Sequence, residues 1–182
     1  MTFFSSTGGP VRARLPRLAD DYLPDVVYGA NDGVITTFAV VSGVVGAALS
    51  ETIILILGFA NLVADGFSMG ASNYLSRRSS VDARRESRRP AARRGLATSA
   101  SFVVVGAVPL VAYLVPLPDD WRYPAAIALT LGTLFAFGAS RTVVTRVGWL
   151  RSGVEMLLVG AAAAAVAYGI GALAAQLTDG TA

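Results

Sequence analysis

Asn61, Asp65, Met69 and Asn73 recur every four residues within Thr52 to Ser76, a stretch in which Asp65 is the one charged side chain. In a helix this spacing places carboxamide, carboxylate, thioether and carboxamide along one face. Oxygen donors alone would suit Mg²⁺ or Ca²⁺. A thioether beside a carboxylate shifts the preference toward softer divalent transition metals such as Fe²⁺. An acid in an apolar span costs roughly 2.5 to 3.5 kcal/mol on insertion scales, so its retention points to a function. The other rungs have plainer uses as well: Met69 can fill a core, and Asn61 and Asn73 can hydrogen-bond between helices.

Asp32 is the second intramembrane acid. Asn31-Asp32-Gly33 reads either as a turn that caps a helix or, with a helix start near Asp25, as a site two turns inside it. In the second case Thr36 adds an oxygen one turn later on the same face. Glu155 follows Arg151 by four residues, which favours a salt-bridged helix start over a role in proton movement. Gly29 with Gly33, Ser42 with Gly46, and Gly66 with Gly70 have the small-xxx-small spacing that permits close backbone approach.

These residues need membrane-spanning elements to hold them. The chain has 182 residues, 54% of them hydrophobic and 15% charged, with a mean hydropathy of +0.58, whereas soluble domains carry about 25% charged residues. The composition specifies an all-α, polytopic membrane protein. Five apolar stretches, at about 25–50, 52–76, 95–117, 123–142 and 150–177, each approach the ~20 residues needed to cross a bilayer as a helix. Cys, His and Lys are absent, which removes thiolate, imidazole and Schiff-base chemistry. No catalytic residues and no resident cofactor are expected.

Arginine sets the expected orientation. Arg12, Arg14 and Arg17 precede the first span, Arg77, Arg78, Arg84, Arg85, Arg88, Arg89, Arg93 and Arg94 follow the second, and Arg141, Arg146 and Arg151 follow the fourth. The alternate connections hold Arg122 alone. Positively charged loops stay on the cytoplasmic side, so the N-terminus is expected inside and the C-terminus outside. Residues 1–24 read as a cytoplasmic arm without a cleavable signal, and 178–182 as a tail. In the Arg-rich loop 77–94, Asp82 and Glu86 are expected to pair with Arg78, Arg85 and Arg89. No aromatic residue interleaves these arginines to stack on bases, so anionic lipid rather than nucleic acid is the expected partner. Trp121 and Tyr123 at one face and Trp149 at the other suit the interfacial belt.

Three segments, Tyr28-Gly-Ala-Asn-Asp-Gly-Val-Ile-Thr-Thr-Phe, Gly58-Phe-Ala-Asn-Leu-Val-Ala-Asp-Gly-Phe-Ser-Met-Gly-Ala-Ser-Asn-Tyr-Leu75 and Arg151-Ser-Gly-Val-Glu-Met-Leu-Leu-Val-Gly160, closely resemble the vacuolar iron transporter family. The resemblance runs through all five spans, from about residue 25 to 177. It implies a dimer of five-helix subunits that exports Fe²⁺, and often Mn²⁺, from the cytosol in exchange for protons. The implied pathway lies at the subunit interface, lined by the first two helices. By position, Asp32 matches the family's first-helix metal-binding aspartate and Met69 its second-helix methionine. Many members carry glutamate where this chain has Asn61; here the acid stands one turn later, at Asp65, as in the nodulin-like and bacterial branch. Residues 76–94 occupy the place where the best-studied branch inserts a glutamate- and methionine-rich cytoplasmic domain.

The resulting expectation is a proton-coupled exporter, a secondary transporter rather than an enzyme, with Fe²⁺ or Mn²⁺ as cargo. Its metal set is Asp32, Asn61, Asp65 and Met69, with Thr36, Asn73 and Glu155 secondary. A homodimer would double the ligand set, with Gly29, Gly33 and Gly46 bringing the two first helices together at the axis. The alternative is a small membrane scaffold or adaptor whose Arg-rich loop binds anionic lipid or an acidic partner, which leaves the Asn-Asp-Met face without a use. The all-Arg basic set favours a GC-rich bacterial genome and hence the plasma membrane; in a eukaryote the vacuole or another endomembrane is expected.

Overall fold

The computed structural model describes residues 18–79, 88–140 and 148–179. Its elements are α1 (Leu18–Gly46), α2 (Glu51–Ser79), α3 (Arg88–Gly106), α4 (Val108–Leu114), α5 (Asp119–Ser140) and α6 (Trp149–Asp179), with no strand among the described residues. Residues 1–17 of the N-terminal arm, with Arg12, Arg14 and Arg17, the expected pairing of Asp82 and Glu86, the arginines at 141 and 146, and residues 180–182 lie outside the described residues, while residues 18–24, read from sequence as the end of that arm, are already helical in α1.

Among the described residues four segments are long and apolar enough to cross a membrane: Glu51–Ser79, Ala91–Leu114, Asp119–Ser140 and Trp149–Thr178. The second is α3 and α4 together. The helix breaks at Ala107 because Pro109 has no N–H to continue the ladder, and the chain resumes as α4 at Val108. The fifth long helix, α1, has 29 residues but carries Asp20, Asp21, Asp25, Asn31 and Asp32. It packs against α2, α3, α4, α5 and α6, and Asp25 is buried among these helices, where a peripheral helix would expose it to lipid.

Small residues make this central position feasible. A Cβ on Gly29 would sit 2.3 Å from the Thr98 carbonyl oxygen, one on Gly33 2.3 Å from that of Phe102, and one on Gly46 2.3 Å from that of Tyr168. These glycines, expected at an axis between subunits, are therefore used inside one subunit, where α1 needs them to touch α3 and α6. On α2, Ile54, Gly58, Leu62, Gly66 and Gly70 form a buried stripe at four-residue spacing. Gly70 meets the Gly95 backbone of α3. Around these contacts Phe38, Val41, Val44, Phe102 and Leu110 build the main apolar core.

Each end of the bundle has its own fastening. α1 closes in a Schellman turn: Leu49 N–H donates to Val44 O at 3.1 Å and Ala48 N–H to Val45 O at 3.0 Å, with Ala48 in the left-handed region at φ 54°. Nearby, Arg122 pairs with Glu51, lies 3.3 Å from Asp119 and donates from Nε to the Leu117 carbonyl at 3.1 Å. The one arginine of the short connections thus ties the start of α2 to the start of α5. Trp121 and Trp149 are exposed, while Tyr123 turns inward and stacks on Phe38.

Candidate functional site

Asp32 lies in the middle of α1, because the helix begins at Leu18 and runs unbroken to Gly46; the turn reading of Asn31-Asp32-Gly33 is set aside. Asn73 of α2 bonds Asp25 of α1, and Leu62 of α2 and the Gly33 backbone of α1 both border Gly106, so the antiparallel register of the two helices sets Asp65 at about the level of Asp32. Both side chains are half-buried. Two carboxylates on neighbouring helices in a low-dielectric setting repel, and a cation between them relieves that repulsion.

Carboxamides flank this pair. Asn31 Oδ1 and Asn61 Nδ2 are both buried and hydrogen-bond to nothing. Orphaned buried polar atoms are rare and mark sites where a ligand, ion or water completes the bonding. The oxygen and nitrogen of a carboxamide exchange places by a flip of χ2, so Asn61 can present its oxygen as readily as its nitrogen. Met69, one turn beyond Asp65, is half-buried and rests against the main apolar core, a position consistent with packing and with ligation alike.

The secondary candidates are engaged elsewhere. Thr36 donates its hydroxyl to the Asp32 carbonyl at 2.8 Å, which leaves only its lone pairs for a ligand. Glu155 accepts from Arg151 Nε at 3.1 Å on the exposed start of α6, as a salt-bridged helix start requires. Asn73 donates from Nδ2 to Asp25 Oδ1 at 2.9 Å and to Thr98 Oγ1 at 2.7 Å, and accepts from Arg77 Nε at 2.8 Å. The four-rung face of α2 is therefore divided: Asn73 is bound into a network at the Arg-rich end, and Asn61, Asp65 and Met69 stand one to three turns away from it toward the middle of the helix.

That network centres on Asp25, which sequence reasoning treated only as a helix start. Its side chain is 6% exposed and receives Arg77 at 2.9 Å and Arg94 at 3.3 Å. The available signal was its spacing: Asp25 precedes Asp32 by seven residues, two turns on the same face. Asn31 carries no sequence signal of its own beyond its place beside Asp32.

Among the described residues no three Asp, Glu, His or Cys side chains gather, so one copy offers a cation two carboxylates with amide and thioether support. A family model, the VIT family, matches residues 23–93 and 81–172. The chain belongs to the VIT family. Its relatives include a vacuolar iron transporter of Plasmodium berghei, 43% identical over 65 residues, which are 36% of this chain and 24% of that protein. A vacuolar iron transporter of Toxoplasma gondii is 48% identical over 58 residues, 32% of this chain and 19% of that protein. Vacuolar iron transporter homolog 5 of Oryza sativa is 30% identical over 164 residues, 82% of this chain and 79% of that protein. The chain thus spans less than a quarter of the two parasite proteins and most of the rice one. With this membership and its long apolar helices, the VIT-family chain is an integral membrane protein.

Proposed function

We propose that this VIT-family protein exports a divalent transition metal, Fe²⁺ or Mn²⁺, from the cytosol in exchange for protons. The observation that carries this reading is the pair of acids Asp32 and Asp65 at one level of the packed helices α1 and α2, with the unpartnered Asn31 Oδ1 and Asn61 Nδ2 in the same two helices. The names of the relatives, vacuolar iron transporters, favour iron. Carboxylates serve such an exchange because the same oxygens hold either a metal or a proton, and proton entry on the far side releases the metal. The cation coordinates Asp32 and Asp65, with Asn61 and Met69 completing its near side and Met69 favouring Fe²⁺ over harder ions.

A second copy related by a twofold axis supplies the remaining ligands, with the α1/α2 seams of the two subunits facing each other. The concentration of arginine at one end orients that end to the cytosol and against anionic headgroups. Purified protein in vesicles tests the reading. Fe²⁺ should enter vesicles against a proton flux in the opposite direction, and an imposed pH gradient should drive it. Uptake indifferent to the gradient would remove the proton coupling, and no uptake of any divalent metal would remove the function.

A further inference from the structure

The Asp25 network joins three helices. Asp25 Oδ1 on α1 accepts from Arg77 Nη2 and Asn73 Nδ2 of α2, both at 2.9 Å, and Asp25 Oδ2 takes Arg94 Nη1 of α3 at 3.3 Å. Thr98 of α3 accepts from Asn73 and donates to the Arg94 carbonyl at 3.1 Å. The Arg94 guanidinium also lies 5.7 Å from the ring centroid of Tyr22 on α1. A buried ion pair of this kind contributes little net stability compared with apolar packing, and its best-attested use is to specify one arrangement among several.

Position gives that arrangement a meaning. Asp25 is seven residues before Asp32 on one face of α1, about 10 Å along the axis at 1.5 Å per residue. Asn73 is one turn from Met69 on the corresponding face of α2. An ion moving along the α1/α2 seam from the Arg-rich end meets Asp25 before it meets Asp32 and Asp65. There it finds a carboxylate already held by two guanidiniums, whose positive charges repel it and whose side chains tie together the helices that bound the route.

We propose that Asp25, Arg77 and Arg94 form a clasp that shuts the Arg-rich end of the cation route, and that opening requires Asp25 to let go of its arginines. This rests on the reading that the α1/α2 seam carries a cation. A divalent cation is the natural competitor, because it offers the carboxylate two charges where each guanidinium offers one. Asp25 is thus a positioning and gating residue, distinct from the ligands deeper in the seam.

The chain has no cysteine, so single reporters can be introduced without background. Thr36→Cys, three turns deeper than Asp25, reports access to the route. Thr130→Cys, at a fully buried position on α5, reports general loosening. A membrane-impermeant thiol reagent is applied to full-length protein in vesicles from the side of the Arg-rich end. Asp25→Asn and Arg77→Gln should each speed labelling at position 36 about tenfold, within the usual range of coupling between sites, and leave position 130 slow. Because the pair acts as a unit, the double variant should gain nothing over either single one. Unchanged labelling at 36, or equal acceleration at 36 and 130, would overturn the clasp and reduce the network to a fold staple. Metal uptake in wild-type vesicles is scored separately: its absence, with the labelling pattern as predicted, would overturn the carrier reading and with it the clasp as a gate for a cation, leaving only a closure against water and small reagents.

Discussion

Asn73 Nδ2 lies 2.9 Å from Asp25 Oδ1, and this bond separates the polar face of α2 into two parts with different duties. Toward the middle of the helix stand Asn61, Asp65 and Met69, at about the level of Asp32 on α1. Toward its Arg-rich end, Asn73 and Arg77 hold α1 and α3. The division yields distinct outcomes for substitutions only one helical turn apart.

Met69→Leu conserves volume and removes the thioether, so the protein should fold normally and lose preference for Fe²⁺ over Mg²⁺ and Ca²⁺. Competition of these ions with Fe²⁺ uptake measures the change. An unaltered selectivity series would make Met69 a packing residue alone.

Asn73→Ala should behave in the opposite way. It takes a partner from Asp25, Thr98 and Arg77, so stability should fall by about 1 to 3 kcal/mol while the ion preference of the remaining transport stays as in the wild type. Thermal unfolding in detergent and the same competition series check both halves. A shift in ion preference would return Asn73 to the ligand set.

The close contact of α1 with α3 predicts a steep asymmetry between glycines. Gly33→Ala directs a methyl group to within 2.3 Å of the Phe102 carbonyl, a backbone atom that cannot step aside, and should cost about 1 to 3 kcal/mol or more. Gly132→Ala on α5 meets nothing within 4 Å and should gain up to about 1 kcal/mol from helix propensity. Folded yield and thermal midpoint, measured side by side, decide it; equal effects would contradict the packing described.

Exposed Ser68 on α2 lies beside Asp65 on the side that a second copy is proposed to cover. Ser68→Cys should therefore crosslink two copies within the bilayer through a short bifunctional thiol reagent. Monomers alone, at protein densities where transport is measured, would contradict the twofold arrangement.

Much of this architecture is legible in the sequence, because hydropathy and the four-residue spacing of Asn61, Asp65 and Met69 depend on local periodicity. The position of Asp32 well inside α1 is less so, since Asn31-Asp32-Gly33 also has the composition of a turn, and the close approach of Gly33 to Phe102 of α3 is visible only in the fold. Gly29, Gly33 and Gly46 declare close approach without naming the partner; the partners are α3 and α6 of the same subunit. The Asp25 network is hidden for a related reason. Its members, Asp25, Asn73, Arg77, Arg94 and Thr98, come from three helices, and their meeting is a tertiary fact that no spacing within one helix encodes. Arg77 and Arg94 read as topology signals, and the fold gives them a second use.

The most direct test concerns the two intramembrane acids. Asp32→Asn and Asp65→Asn each remove one ligand charge and retain shape, so both variants should insert and purify like the wild type, and Fe²⁺ uptake into vesicles driven by a pH gradient should be abolished in each. Wild-type uptake rates in both variants, at equal protein per vesicle, would contradict a cation site built on Asp32 and Asp65.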